Sequence, residues 1–203
     1  MRIIELHNSD ISTVLKICGA LFYYRPEEYQ SVNIATLLEN VDTPLKQLAD
    51  TLFTFKNENK NDLQLEHDRL FSGIGDMPAP PWGSVYLDKE SVVFGESMLQ
   101  YRYFLQKCRL LLVTVQNEPE DHIGLMLMAS GILFEEERIL LGKELLEEHL
   151  MTWFCFFIKR FKKATQSSAY RQLAEMVEQI LLILVDRYQI TPLKHRDYFV
   201  ETV

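Results

Sequence analysis

The sequence predicts an all-α protein, a single-domain helical bundle of about eight or nine helices. Apolar residues recur at three- and four-residue steps through most of the chain, the pattern of helices with one buried face. Only Leu110 to Val115 reads as a strand, and a lone strand has no partner for its backbone groups, so an extended connection or a helix continuation is expected there. No internal repeat of fixed period is present, which argues against a solenoid, and 203 residues at 47% hydrophobic composition suffice for one sizeable core.

In chain order, Asn8 or Ser9 is placed to cap a first helix whose Ile11, Val14, Leu15, Cys18, Leu21 and Phe22 share a face, ending near Tyr24 ahead of Pro26. Glu27 to Glu39 predicts a second helix with Ile34, Leu37 and Leu38 inward. Thr43-Pro44 sets a capping hydroxyl before a proline at the first helical position, opening a third helix with Leu45, Leu48, Leu52, Phe53 and Phe55. The charged, Asn-rich stretch from Asn57 to Asp62 reads as a loop; Leu63, Leu65, His67, Leu70 and Phe71 then make a fourth helix, ended by Gly73 and Gly75. Further on, Asp88 is placed to cap a short turn through Ser91, and Ser97 to cap a helix with Leu99, Tyr103 and Phe104 on one side. Helical periodicity continues over residues 123–134, 139–149, 150–163 and 170–188, and Thr191-Pro192 stops the last helix. Residues 193–203 read as a polar, frayed tail.

Residues 73–95 predict an ordered proline-rich loop. Pro78, Pro80 and Pro81 remove backbone donors and push their predecessors towards extended geometry, so neither helix nor sheet interior passes through them. Trp82, Val85, Tyr86 and Leu87 supply apolar area that a disordered linker lacks, and Gly83 permits a sharp turn after the indole. Such a loop is either a rigid connection between helical halves or a fixed binding surface.

The formal charge of −8 and a pI near 5.2 argue against a nucleic-acid partner or an anionic membrane surface and suit a cationic peptide. Cys18, Cys108 and Cys155 are odd in number and far apart, which predicts a reducing compartment, no thiolate metal site and three small core hydrophobes. The opening Met1-Arg2-Ile3-Ile4-Glu5-Leu6-His7-Asn8 does not read as an export signal, and no apolar run approaches the ~18 residues that cross a bilayer. A cytoplasmic protein without stable membrane insertion is expected.

A second informative stretch is Asn117-Glu118-Pro119-Glu120-Asp121-His122. As local physics it is a helix start, with Asn117 as cap, Pro119 in the first turn, and carboxylates at the positive end of the helix dipole. It does not read as a metal site, because adjacent helical residues point about 100° apart and no second His stands four residues on. It lacks a nucleophile, since no Gly-x-Ser-x-Gly occurs and no cysteine is near in sequence. Gly73-Ile74-Gly75 is not followed by the Gly-Lys-Ser/Thr of a phosphate loop. Neither a catalytic centre nor a cofactor site is read from these residues.

The run from Pro80 to Gly95, followed about two dozen residues later by Asn117 to His122, closely resembles the TorD/DmsD family of redox-enzyme maturation chaperones. The resemblance extends to Gly19-Ala20-Leu21-Phe22-Tyr23-Tyr24 and to Leu70-Phe71, and the family's length and helical architecture fit the whole chain. It implies a TorD-like fold and a chaperone, not an enzyme and without a cofactor, that binds the twin-arginine signal peptide of a molybdopterin-containing oxidoreductase subunit, with Tat translocase components as further partners. By the same resemblance the peptide-binding positions are Trp82, Gly83 and Tyr86 of the loop and Glu118, Pro119, Asp121 and His122 of the second motif.

The chemistry of the residues agrees. A twin-arginine leader presents two guanidinium groups and then an apolar segment, so its receptor needs carboxylates beside an apolar groove. Asp121, Glu118, Asp76 and Asp88 are the candidate carboxylates, and Trp82, Val85, Tyr86 and Leu87 the candidate groove. The bland alternative is that Asp121 and His122 tie the helix start to the proline loop. A guanine-nucleotide-dependent switch and an adaptor for a folded reductase subunit are the other function classes left open.

Overall fold

The computed structural model describes residues 7–29, 45–73, 77–112 and 118–199. Within them the chain is helical, in the order α1 (Asn8–Tyr23), α2 (Pro26–Tyr29), α3 (Leu45–Asn57), α4 (Lys60–Phe71), α5 (Gly83–Leu87), α6 (Glu96–Lys107), α7 (Ile123–Glu135), α8 (Ile139–Glu144), a π-helical turn (Leu145–Leu150), α9 (Met151–Ala164) and α10 (Ser168–Tyr188). The π turn joins α8 to α9 without a break, so the two helices expected over 139–149 and 150–163 form one rod, and the described residues hold nine separate helices. The all-α expectation holds. The second predicted helix falls largely on residues outside those described; Asp76, Thr43-Pro44, Asn117 and half of the Leu110 to Val115 run also lie outside them.

The bundle is centred on α7, whose Ile123, Leu125, Met126, Leu127, Ala129, Leu133 and Phe134 are buried around the whole helix, as befits a helix apolar on all sides. It packs along α1 at close range because glycines face each other at the crossing. A Cβ at Gly19 would stand 2.5 Å from the Gly124 carbonyl oxygen, and a Cβ at Gly124 would stand 2.5 Å from that of Gly19. A second contact at Gly131, where a Cβ would meet the Ser12 carbonyl at 3.0 Å, keeps the helices close further along. Around this pair an edge-to-face aromatic cluster binds four helices: Phe22 of α1 meets Phe161 of α9 at 5.4 Å, and Phe71 of α4 meets Tyr170 of α10 at 5.7 Å. Glu66 of α4 closes the same end, pairing with Arg69 and accepting from Thr165 Oγ1 and the Gln166 backbone in the α9–α10 connection.

Several element details differ from expectation. The N-cap of α1 is His7, whose backbone N–H donates to the Asp10 carboxylate (3.2 Å). The predicted loop from Asn57 to Asp62 shrinks to two residues, because Asn59 accepts from the backbone of Asn61 and Asp62 and so starts α4 at Lys60. Phe53 and Leu65 are exposed; Phe53 lies one position off the buried stripe of Leu52 and Phe55, and Leu65 falls between the buried Leu63 and Glu66. On α6 the buried face is Met98, Tyr101, Phe104 and Leu105, which leaves Leu99 and Tyr103 outward: their four-residue spacing is helical, but on the solvent side. Asp88 caps α6 rather than its own turn, its carboxylate accepting from Ser97 N–H and Oγ. Cys18 and Cys108 are buried, but Cys155 is exposed. The C-terminal segment, expected to be frayed from residue 193, is docked as far as Phe199.

The glycine crossing makes a clear prediction. Gly19→Ala and Gly124→Ala should each cost about 1–3 kcal/mol, the range for overpacking a core, and lower the melting temperature by a few degrees. Because either methyl pushes the same two helices apart, the double variant should be less destabilised than the sum. Thermal melts of the two singles and the double test this; full additivity would mean the helices are not in contact there.

Candidate functional site

The two stretches singled out in the sequence meet in the fold. Pro81 to Gly83 lies antiparallel to Asp121 to Ile123: Gly83 N–H donates to the Asp121 carbonyl (3.2 Å) and Ile123 N–H donates to that of Pro81 (2.8 Å). The Asp121 carboxylate adds a third link, Oδ2 accepting from Ser84 N–H at 2.6 Å. That bond satisfies a first-turn amide of α5, which begins directly after Trp82; the loop therefore holds a helical turn that its prolines conceal. Helix α7 begins later than predicted, at Ile123, with His122 as its cap: Nδ1 accepts from Gly124 N–H at 3.1 Å. Glu118, Pro119 and Glu120 lie before that helix, not in its first turn.

Of the eight predicted site residues, most are buried and hold the seam together. Tyr86, expected to line a groove, is fully buried: its ring stacks on Trp153 of α9 at 5.6 Å and its hydroxyl donates to the Pro80 carbonyl (2.8 Å). Val85 is buried beside it. Gly83 lies flush against Trp153, where a Cβ would come within 2.6 Å of the indole nitrogen. Pro119 is buried and accepts from His122 N–H (3.2 Å). His122 is 3% exposed between the rings of Tyr23 and Trp82, and burial pushes its pKa down to about 3, so it is a neutral cap. Trp82 is half-buried and its indole N–H donates to the Glu118 carboxylate; burial holds the Glu118 pKa up, and that hydrogen bond works the other way.

Next to the seam is a cleft of about 190 Å³. Of the predicted residues, Gly83, Leu87 and Asp121 line it. The rest of its wall was not foreseen: Gln100 and Tyr101 come from α6, Glu148 and His149 from the π turn, Trp153 from α9, and Leu193 and His195 from the docked tail. Only the side-by-side Glu148 and His149 near a helix junction carried a hint of this in the sequence. At the cleft Asp121 is 3% exposed and its Oδ1 has no hydrogen-bond partner among the described residues; the same holds for the buried hydroxyl of Tyr101 and for the hydroxyl of Ser84 behind the seam. Burial pushes the Asp121 carboxyl up to about 6, against the pull of the Ser84 N–H. Burial also pushes His149 down to about 4, so it is neutral near pH 7. A carboxylate held in a low-dielectric pocket with a free oxygen, an unpaired hydroxyl and an aromatic wall can accept a cationic hydrogen-bond donor.

The pH dependence of stability has a defined sign. Asp121 holds its proton more tightly when folded, so its contribution favours the fold most below about pH 4 and is lost as pH rises through about 6, a swing of about 3 kcal/mol. His122 acts oppositely, contributing fully above about pH 6.5 and losing its contribution as pH falls towards 3. Asp121→Asn removes the first swing alone. Its melting temperature, followed from pH 4 to 7, should climb by several degrees relative to wild type; a flat difference would show the carboxyl to be solvated.

Known proteins share this fold and sequence. A family model described as nitrate reductase delta subunit matches residues 35–159. The Haemophilus influenzae protein named as a DmsD-type Tat proofreading chaperone is 38% identical over 174 residues, covering 81% of this chain and 84% of its own. The Tat proofreading chaperone DmsD of Salmonella typhimurium is 35% identical over 182 residues, covering 87% and 89%. A crystal structure from Archaeoglobus fulgidus, described as a redox enzyme maturation protein, has the same fold with a TM-score of 0.62 at 23% identity, covering 90% of this chain and 98% of that one. The chain belongs to the nitrate reductase delta subunit family, within its TorD/DmsD group of redox-enzyme maturation chaperones.

Proposed function

We propose that this protein is a chaperone that binds the twin-arginine leader of a molybdopterin-containing reductase subunit of the dimethyl sulfoxide reductase type. It works in the cytoplasm, keeping that subunit from Tat export until folding and cofactor loading are complete. The observation that supports this reading is the cleft beside the seam. Among the described residues its buried Asp121 carboxylate has one oxygen without a partner, Glu148 adds a second carboxylate, and Trp153 and Leu87 provide an apolar wall. Burying a charge without a partner is costly, and a leader guanidinium supplies two parallel donors and the missing positive charge. Trp82 and Glu118, half-buried at the outer side of the seam, present an indole and a carboxylate to the rest of the peptide.

Calorimetric titration with a synthetic leader, two adjacent arginines followed by an apolar segment, tests this. Micromolar or tighter binding is expected, with Asp121→Asn and Trp82→Ala each weakening it at least tenfold while melting cooperatively. Binding to the client subunit that survives deletion of its leader would instead favour the adaptor reading. The guanidinium must also expel the Asp121 proton where the free protein holds one. Affinity should therefore fall as pH drops below about 6, by at most tenfold per unit, with proton release on binding seen as a dependence of the heat on the buffer. In Asp121→Asn that part of the pH dependence should vanish.

A further inference from the structure

The tail after α10 is held in an extended path along one side of the cleft. Gln189, in the left-handed conformation at φ 50°, turns the chain back, and Ile190 is buried where the turn ends. From there the chain is pinned at two places. On the near side Thr191 N–H donates to Glu147 Oε1 (2.7 Å) and Leu193 N–H to the Glu147 carbonyl (2.9 Å), both on the π turn. On the far side Tyr198 N–H donates to the Tyr86 carbonyl (2.9 Å) and the Ser91 hydroxyl donates to the Tyr198 carbonyl (2.8 Å). There Asp197 pairs with Arg160 at 2.7 Å, and the Phe199 ring packs on Tyr86 at 5.6 Å.

Between the pins lie Lys194, His195 and Arg196. Among the described residues they make no hydrogen bond or ion pair, although Leu193 and His195 form part of the cleft wall opposite Asp121 and Glu148. The order of chemistry along the tail is basic residues and then Tyr198-Phe199, the order of guanidinium groups and then apolar segment that a leader presents. The tail also uses the α5 carbonyl and the π-turn backbone, the main-chain edges an extended peptide would use to enter this cleft.

We infer that residues 191–199 are a built-in occupant of the cleft mouth, a strap that the leader displaces when it binds. The inference rests on the leader reading above. The strap guards the costly Asp121 pocket when no client is present, and it lowers the apparent affinity for leaders by the fraction of time it stays docked. A weakly matched peptide then fails to displace it, which adds discrimination without any further contact.

The test uses the full chain. Backbone hydrogen exchange, measured free and with the synthetic Arg-Arg leader and its Lys-Lys counterpart, reads the amides of Leu193 and Tyr198. Both are hydrogen-bonded in the free protein and should exchange slowly there, and both should lose protection when the Arg-Arg peptide binds. In parallel, the Asp197→Ala/Phe199→Ala variant weakens the far pin by removing its two side-chain contacts, the Arg160 pair and the packing on Tyr86, and alters none of the residues that make the three seam hydrogen bonds; its leader affinity should rise roughly three- to tenfold, the release of a mostly docked competitor. Tail amides that keep their protection while the leader binds, or a variant with unchanged or weaker affinity, would overturn the strap and make the tail a fixed wall. Binding by the variant but not by wild type would support it most strongly. If neither binds, the leader reading fails, and the strap fails with it.

Discussion

The structure turns on the three hydrogen bonds that join Pro81–Gly83 and Ser84 to Asp121–Ile123. Two backbone links set the register of the proline-rich segment against the start of α7, and the carboxylate link starts α5 in the same place. Everything at the site hangs from this seam. With it in place, Gly83 rests on Trp153, Tyr86 stacks under the turn, and His122 caps α7 between the rings of Tyr23 and Trp82. Prolines suit the role, since they bring few unsatisfied donors into a buried connection and lose little conformational freedom when it orders.

The seam is well placed only because α7 is held close to α1. The Gly19–Gly124 crossing lies directly after His122, so the glycine contact that brings two backbones together also fixes where the helix cap and its preceding carboxylate stand. Buried helices in close contact move as one rigid unit, and the aromatic cluster around Phe22, Phe71, Phe161 and Tyr170 ties that unit to α4, α9 and α10. The cleft is thus carried on α5, α6, the seam running into α7, and the π turn running into α9. The tail closes a further side without regular secondary structure.

That arrangement concentrates unfavourable electrostatics in one spot. Among the described residues Asp121 is buried with one oxygen unpaired, and the buried hydroxyl of Tyr101 in the same cleft has no partner either. Polar groups left in this condition cost stability in a folded chain, and such costs gather where a ligand supplies the missing partner. The π turn belongs to the same pattern. It is a rare, widened turn found frequently at functional sites, and here it presents Glu148 and His149 to the cleft while Glu147 holds the tail.

The sequence by itself determined the helices, because a periodicity of three and four depends only on which residues are apolar, and it determined the two motifs and their family. It also offered, as one reading, the tie between Asp121–His122 and the proline-rich loop that the seam forms. It misread the caps at His7 and His122, since a side chain acts as a cap only through a local geometry that composition does not specify. It took Tyr86 for a groove residue, because an aromatic in a proline-rich loop looks the same in sequence whether it faces solvent or a buried Trp153 far along the chain. What only the tertiary structure decided is the cleft itself: α6, the π turn, α9 and the tail meet there through contacts far apart in the chain, and no local pattern records a surface made by distant segments. The tail shows the same limit. Lys194 to Phe199 is polar and unpatterned, as a frayed end would be, and its order comes from the backbone of Glu147 and Tyr86 and the side chain of Arg160, which the rest of the fold has put in reach.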